Sequence, residues 1–155
     1  MRLFIATPVN IPIYEIIKRT LGKYIEGKWV EGWNLHITHK FIGEDDPKKY
    51  EVKLNIPSEN IKIKGIGLFD DKILYLKAEV NDTINKQINE KFNLTNDKPF
   101  RAHVTLCRIK DIKDEHFFEV LKNFEHIYFE VPFEVYLYKS TLTKRGPIYE
   151  KIYKY

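Results

Sequence analysis

The sequence predicts an α+β domain built mainly from antiparallel sheet. Three observations carry that expectation. Strand-like and helix-like segments follow one another without regular βαβ alternation. Several strand-like runs are joined by turn residues rather than by helices. The pattern His-x-Thr occurs twice, at His36-Ile37-Thr38 and His103-Val104-Thr105, each time in a strand-like run that follows a helix-like one.

The elements follow in order. Residues 1–6 alternate as a strand does, with Leu3 and Ile5 on one face and Phe4 on the other. Asn10 is placed to cap a helix opening at Ile11-Pro12, where the missing proline N–H costs nothing. Ile13, Ile16, Ile17, Leu21 and Tyr24 then share a helical face, and Gly27 is the expected stop. Residues 34–42 read as a strand, punctuated by Gly43 and Asp45-Asp46-Pro47, with a short helix from 47 to about 54. Residues 61–69 and 73–80 form a hairpin through Asp70-Asp71. Asp82 caps a second helix with Ile84, Ile88 and Phe92 on one face. Residues 101–109 are again a strand, and Asp114 caps a third helix through Phe117, Phe118, Leu121 and Phe124. Strands near 128–129, 133–143 and 148–153 close the chain, the last two joined at Gly146-Pro147. No low-complexity linker interrupts this order, so residues 1–155 read as a single domain.

Composition narrows the function classes. Hydrophobic residues make up 43% of 155, enough to bury a core. The single cysteine, Cys107, excludes an internal disulfide and a thiolate metal cluster. No apolar run approaches the roughly 18 residues a membrane span needs. The N-terminus lacks the long apolar region of a signal peptide, so a cytoplasmic protein without a membrane partner is expected. A net charge of +4 suits a polyanionic ligand without requiring one.

The paired motifs carry the chemistry. Side chains alternate across a strand, so His36 and Thr38 share one face, as do His103 and Thr105, while Ile37 and Val104 point the other way. Two such strands present an imidazole and a hydroxyl each to a common cleft. Cleaving a phosphodiester needs a base for the nucleophile and an acid for the leaving oxygen, and histidine fills either part near neutral pH. Threonine hydroxyls can donate to the non-bridging oxygens where charge builds up. No metal and no cofactor are needed by this logic. The motifs stand 67 positions apart (103 − 36), so each half delivers a helix, a loop and a His-x-Thr strand. That is the pattern of two related lobes facing one another.

The chain resembles the two-histidine phosphoesterase superfamily, and within it the RNA 2′,3′-cyclic phosphodiesterase or 2′-5′ RNA ligase family. The resemblance runs over nearly the whole chain. It is carried by Met1-Arg2-Leu3-Phe4-Ile5-Ala6, by Asn34-Leu35-His36-Ile37-Thr38-His39-Lys40-Phe41-Ile42-Gly43 and by Ile66-Gly67-Leu68-Phe69. It continues through Pro99-Phe100-Arg101-Ala102-His103-Val104-Thr105-Leu106-Cys107-Arg108, Leu137-Tyr138-Lys139-Ser140-Thr141-Leu142-Thr143 and Gly146-Pro147-Ile148-Tyr149-Glu150. It implies two pseudo-symmetric lobes of mainly antiparallel sheet, with flanking helices around a central cleft. It also implies hydrolysis of an RNA 2′,3′-cyclic phosphate end to a 2′-phosphomonoester, and 2′-5′ ligation in some members. His36 would donate a proton to the leaving 3′ oxygen, His103 would activate water, and Thr38 and Thr105 would hold the phosphate. Arg108 matches an arginine near the nucleotide, and Tyr149 is a cleft residue by the same likeness. RNA with a cyclic phosphate end, tRNA fragments among the candidates, would be the partner. His39 departs from the family, which commonly has leucine there.

Other residues admit plainer readings. Arg101 shares the strand face of His103 and Thr105, whereas Arg108 falls on the opposite face unless the strand bulges before it. Both are carried as substrate-binding candidates. Cys107 also shares the His103 face, yet an inert packed thiol is the commoner case. Alternation separates His36 from His39, which weighs against a metal site with His103. His116 and His126 lack a repeated context and read as surface residues. The tyrosines and lysines of the tail, Tyr149 apart, read as ordinary strand positions. A nucleotide or RNA-end binding module without turnover, or a phosphodiesterase for a small cyclic nucleotide, would use the same cleft. A monomer is expected, because no long apolar stripe is left unused.

Overall fold

The computed structural model describes Met1–Tyr155 throughout. Its strands are β1 (Arg2–Pro8), β2 (Ile25–Trp29), β3 (His36–Glu44), β4 (Ile61–Phe69), β5 (Ile73–Glu79), β6 (His103–Ile112), β7 (Tyr128–Val131), β8 (Tyr136–Thr143) and β9 (Gly146–Lys154). Its helices are α1 (Tyr14–Leu21), α2 (Thr83–Phe92) and α3 (His116–Leu121). The strands pair antiparallel along the path β7-β4-β5-β6-β3-β1-β8-β9, with β2 joined to β6 off that path. The α+β class expected from the sequence is the class that forms.

Helix α1 is held by its apolar face. Ile17 and Leu21, four residues apart, are fully buried, and each such burial contributes about 1.5–3 kcal/mol. The helix is shorter than its periodicity suggests. It opens at Tyr14 with no side-chain cap, so Asn10 does not serve, and it ends at Gly22. Gly27 lies instead in β2, a strand absent from the sequence reading. A Cβ there would meet the Arg108 carbonyl oxygen, with the Cys107 sulfur 2.9 Å away. The glycine therefore allows β2 to approach β6 closely.

The other elements hold with small changes. The Asp70-Asp71 hairpin forms, both residues taking positive φ (50° and 54°) as a type I′ turn requires. Asp82 precedes α2, though its carboxylate makes no capping bond. Ahead of α3 the Asp114 carboxylate accepts from the His116 N–H at 2.9 Å. The expected helix at 47–54 shrinks to a 3-10 turn, Pro47–Tyr50. Gly146, at φ 114°, already belongs to β9, so the last turn falls on Lys144-Arg145.

Two large apolar clusters and a small one, formed by Phe4, Ala6 and Tyr138, fill the interior. The larger, of 18 residues, joins α1 and α3 to β4, β5 and β6 through Ile17, Leu21, Phe117, Ile63, Leu74, Leu76 and Leu106. A second, of 8 residues, joins α2 to β1 and β8 through Ile84, Ile88, Leu3, Ile5 and Leu137. Strands β3 and β6 are bridged through a single residue pair, Ile37 and Val104, both fully buried within the larger cluster. From Cys107 onward β6 pairs with β2 instead.

Candidate active site

The Ile37–Val104 pair fixes the geometry of the site. Antiparallel strands about it set His36 opposite Thr105, and Thr38 opposite His103. The two apolar residues face the core. The four polar ones face the other way, are half-buried, and line a single cavity of about 450 Å³.

Both imidazoles are pinned in the same manner. His36 Nδ1 lies 2.7 Å from the Asn34 carbonyl oxygen, and His103 Nδ1 lies 2.7 Å from that of Arg101. A carbonyl only accepts, so each Nδ1 carries a proton and donates it. Each Nε2 is left to take up or release a proton in the cavity. Aromatic rings brace both. Phe4 lies 5.2 Å and Tyr149 5.4 Å from the His36 ring. Phe69 and Tyr75 lie edge-on to His103 at 5.3 and 5.8 Å. Asn34 adds a brace by donating from Nδ2 to the Pro147 carbonyl at 3.1 Å, tying the turn before β3 to β9. Burial pushes the His36 pKa below its ordinary value. The bond to Asn34 opposes that shift, and a charge on His103 adds to it.

A bulge follows each motif. On β3, Ala6 pairs with Thr38 and Ile5 with Lys40, leaving His39 as the extra residue. On β6, Tyr75 pairs with Thr105 and Leu74 with Cys107, leaving Leu106 extra. Each bulge resets the alternation. The fifth residue after each histidine therefore returns to the cavity: Phe41 on β3 and Arg108 on β6.

Known proteins share this architecture. The LigT-like phosphoesterase family model matches residues 78–149. An RNA 2′,3′-cyclic phosphodiesterase of Methanocaldococcus jannaschii is 36% identical over 98% of both chains. The chain belongs to the LigT-like phosphoesterase family. An RNA 2′,3′-cyclic phosphodiesterase of Aquifex aeolicus is 35% identical over 88% of this chain and 85% of that protein. The fold also matches E. coli LigT crystallised with 3′-AMP, with a TM-score of 0.70 and 20% identity over 99% of this chain and 96% of that one.

In this LigT-like phosphoesterase the remaining candidates separate cleanly. Arg108 and Tyr149 line the cavity with the motif residues. Burial raises the Tyr149 hydroxyl pKa, opposed by the positive charges of Arg108 and Arg2. Arg101 does not line the cavity. It precedes β6, so strand alternation does not govern it, and its guanidinium lies over the Phe69 ring at 5.1 Å. Its contribution is the backbone carbonyl that holds His103. Cys107 departs from its expected face because of the Leu106 bulge. It is fully buried, and burial pushes its thiol up to about 11. His39 is buried in the core, its Nε2 2.7 Å from the Thr7 hydroxyl and its ring stacked on Phe133. That burial pushes its pKa down to about 4. No group of three or more His, Cys, Asp or Glu is placed to hold a metal ion. No helix is long and apolar enough to cross a membrane.

The sequence reading missed the bracing rings of Phe4 and Tyr75 and the cavity positions of Arg2, Lys28, Phe41 and Arg145. An aromatic in a strand resembles ordinary core, and a lone cation at a strand end resembles ordinary surface. The one signal that could have found Phe41 is its spacing, five residues past His36 as Arg108 is past His103.

Proposed function

We propose that the protein opens terminal 2′,3′-cyclic phosphates of RNA by metal-independent acid–base catalysis between His36 and His103, leaving a 2′-phosphomonoester. One observation carries the reading. Two imidazoles, each with Nδ1 tied to a carbonyl and Nε2 free, flank one strand pair and share one cavity with two threonine hydroxyls. Two relatives at 35–36% identity that are named RNA 2′,3′-cyclic phosphodiesterases support the substrate class.

The steps follow from the placement. The cyclic phosphate sits between the rings, and Thr38 and Thr105 donate to its non-bridging oxygens. His103 Nε2 takes the proton of an attacking water. The new P–O bond forms as the bond from phosphorus to the 3′ oxygen breaks. His36 Nε2 protonates that leaving oxygen. Burial disfavours the charge His36 needs, and the adjacent phosphate anion favours it, so the proton is held best when substrate is bound. Arg108 offers a fork of donors to the nucleotide, and Tyr149 holds the His36 ring. The two halves of the sheet, joined where β3 meets β6 at Ile37–Val104, act as two pseudo-symmetric lobes around the cleft. A 5′-hydroxyl in place of water would give a 2′-5′ linkage by the same proton transfers. The protein works as a cytoplasmic monomer.

The test uses an RNA oligonucleotide ending in a 2′,3′-cyclic phosphate, incubated with EDTA-treated protein and followed by phosphorus NMR. The expected product is the 2′-phosphomonoester at an undiminished rate. A 3′-phosphomonoester, or loss of activity that metal restores, would overturn the reading.

A further inference from the structure

We propose that Lys28, Arg108 and Arg145 form a second phosphate subsite, which holds the phosphodiester on the 5′ side of the terminal nucleotide. This rests on the cyclic phosphodiesterase reading and adds to it the part of the strand that the protein recognises.

Lys28 on β2 and Arg108 on β6 are directly paired in register, and both are exposed to the cavity. Like charges placed opposite each other on an antiparallel pair repel. The chain has 22 Asp and Glu with which to relieve them. Further along the same two strands it does so, where Glu26 and Lys110 form an ion pair at 3.8 Å. Neither Lys28 nor Arg108 has such a partner, and Glu31 is the sole carboxylate residue lining the cavity.

A third cation joins them from the β8–β9 turn. Arg145 lines the same cavity, and the next residue, Gly146, has φ 114°. A Cβ at Gly146 would stand 3.3 Å from the Lys28 ammonium nitrogen. That ammonium therefore lies against the turn that carries Arg145. Three unpaired cations thus gather beside a reaction centre whose own phosphate is already served by two imidazoles and two hydroxyls. Like charges held together in this way are relieved by a bound anion. A terminal RNA nucleotide brings one with it, the phosphodiester one ribose away from the cyclic phosphate. A 2′,3′-cyclic mononucleoside phosphate has no such group.

Two substrates that differ only in this group test the proposal: adenosine 2′,3′-cyclic phosphate, and the same compound carrying a 5′-phosphate. The 5′-phosphate should raise kcat/KM about tenfold in the wild type, through KM. Lys28→Ala or Arg145→Ala should each cut that gain to about threefold and change the unphosphorylated substrate by less than about twofold. Each should also lower the log–log salt dependence for the phosphorylated substrate by about one. Lys28→Arg should keep the gain. Equal turnover of both substrates by the wild type would overturn the subsite, as would variants that slow both substrates alike. The oligonucleotide assay separates the two failures: turnover of the oligonucleotide with no gain from the 5′-phosphate overturns the subsite alone, and no turnover of the oligonucleotide rejects the underlying reading and the subsite with it.

Discussion

Along β3 the cavity sees His36, Thr38 and then Phe41; along β6 it sees His103, Thr105 and then Arg108. The two walls share everything that fixes an imidazole: the bond from Nδ1 to the carbonyl two residues back, two bracing rings, and a bulge just past the threonine. They differ in what lies beyond. An exposed phenylalanine beneath the Arg2 guanidinium ends one wall, and an unpaired arginine beside Lys28 ends the other. The extra residue of the bulge is a buried histidine on β3 and a leucine on β6. The repeated parts are those that proton transfer needs twice. The unrepeated parts give the site a direction, since a substrate with a leaving group on one side and water on the other is not symmetric.

The comparison is broken most severely by removing either repeated imidazole. His36→Ala and His103→Ala should each lower kcat by about 10²–10⁴-fold with KM little changed, read from initial rates on a cyclic-phosphate oligonucleotide. Thr38→Ala and Thr105→Ala should each cost about ten- to hundredfold, as the loss of one hydrogen bond to a charged group does. Unequal threonine losses would show which oxygen bears more charge.

The unrepeated parts should respond differently. Arg108→Ala should raise KM about tenfold and leave kcat within a few-fold, because it holds substrate without moving a proton. An equal fall in kcat would place Arg108 in the chemistry itself.

His39 sharpens the contrast through stability. Its folded pKa of about 4 lies below the ordinary 6.5, so below pH 6.5 the unfolded chain binds a proton that the folded chain refuses. Stability from this group is complete above pH 6.5 and is lost as pH falls toward 4, by up to about 3 kcal/mol. His39→Leu should flatten that part of a urea-denaturation profile and change activity by less than about twofold. A large loss of activity would tie the buried ring to catalysis.

Periodicity made much of this legible beforehand. The buried Ile37 and Val104 and the outward His and Thr of each motif follow from alternation alone. What alternation could not show was where it resets. A bulge depends on the neighbouring strand as much as on its own sequence, so Arg108 and Cys107 exchange faces with no local signal. Strand β2 was hidden for a similar reason. Its Gly27 looks like a helix stop until β6 is known to pass against it. Arg101 shows the reverse error, alternation carried past the point where the strand begins.

The central claim is that the two imidazoles act as one device across the Ile37–Val104 pair. The most direct test is a double-mutant cycle, measuring kcat for His36→Ala, His103→Ala and the double variant on the same cyclic-phosphate substrate. The double variant should be nearly as active as either single one, since a lone acid or base completes no turnover. Losses that simply multiply, or a single variant close to the wild-type rate, would contradict it.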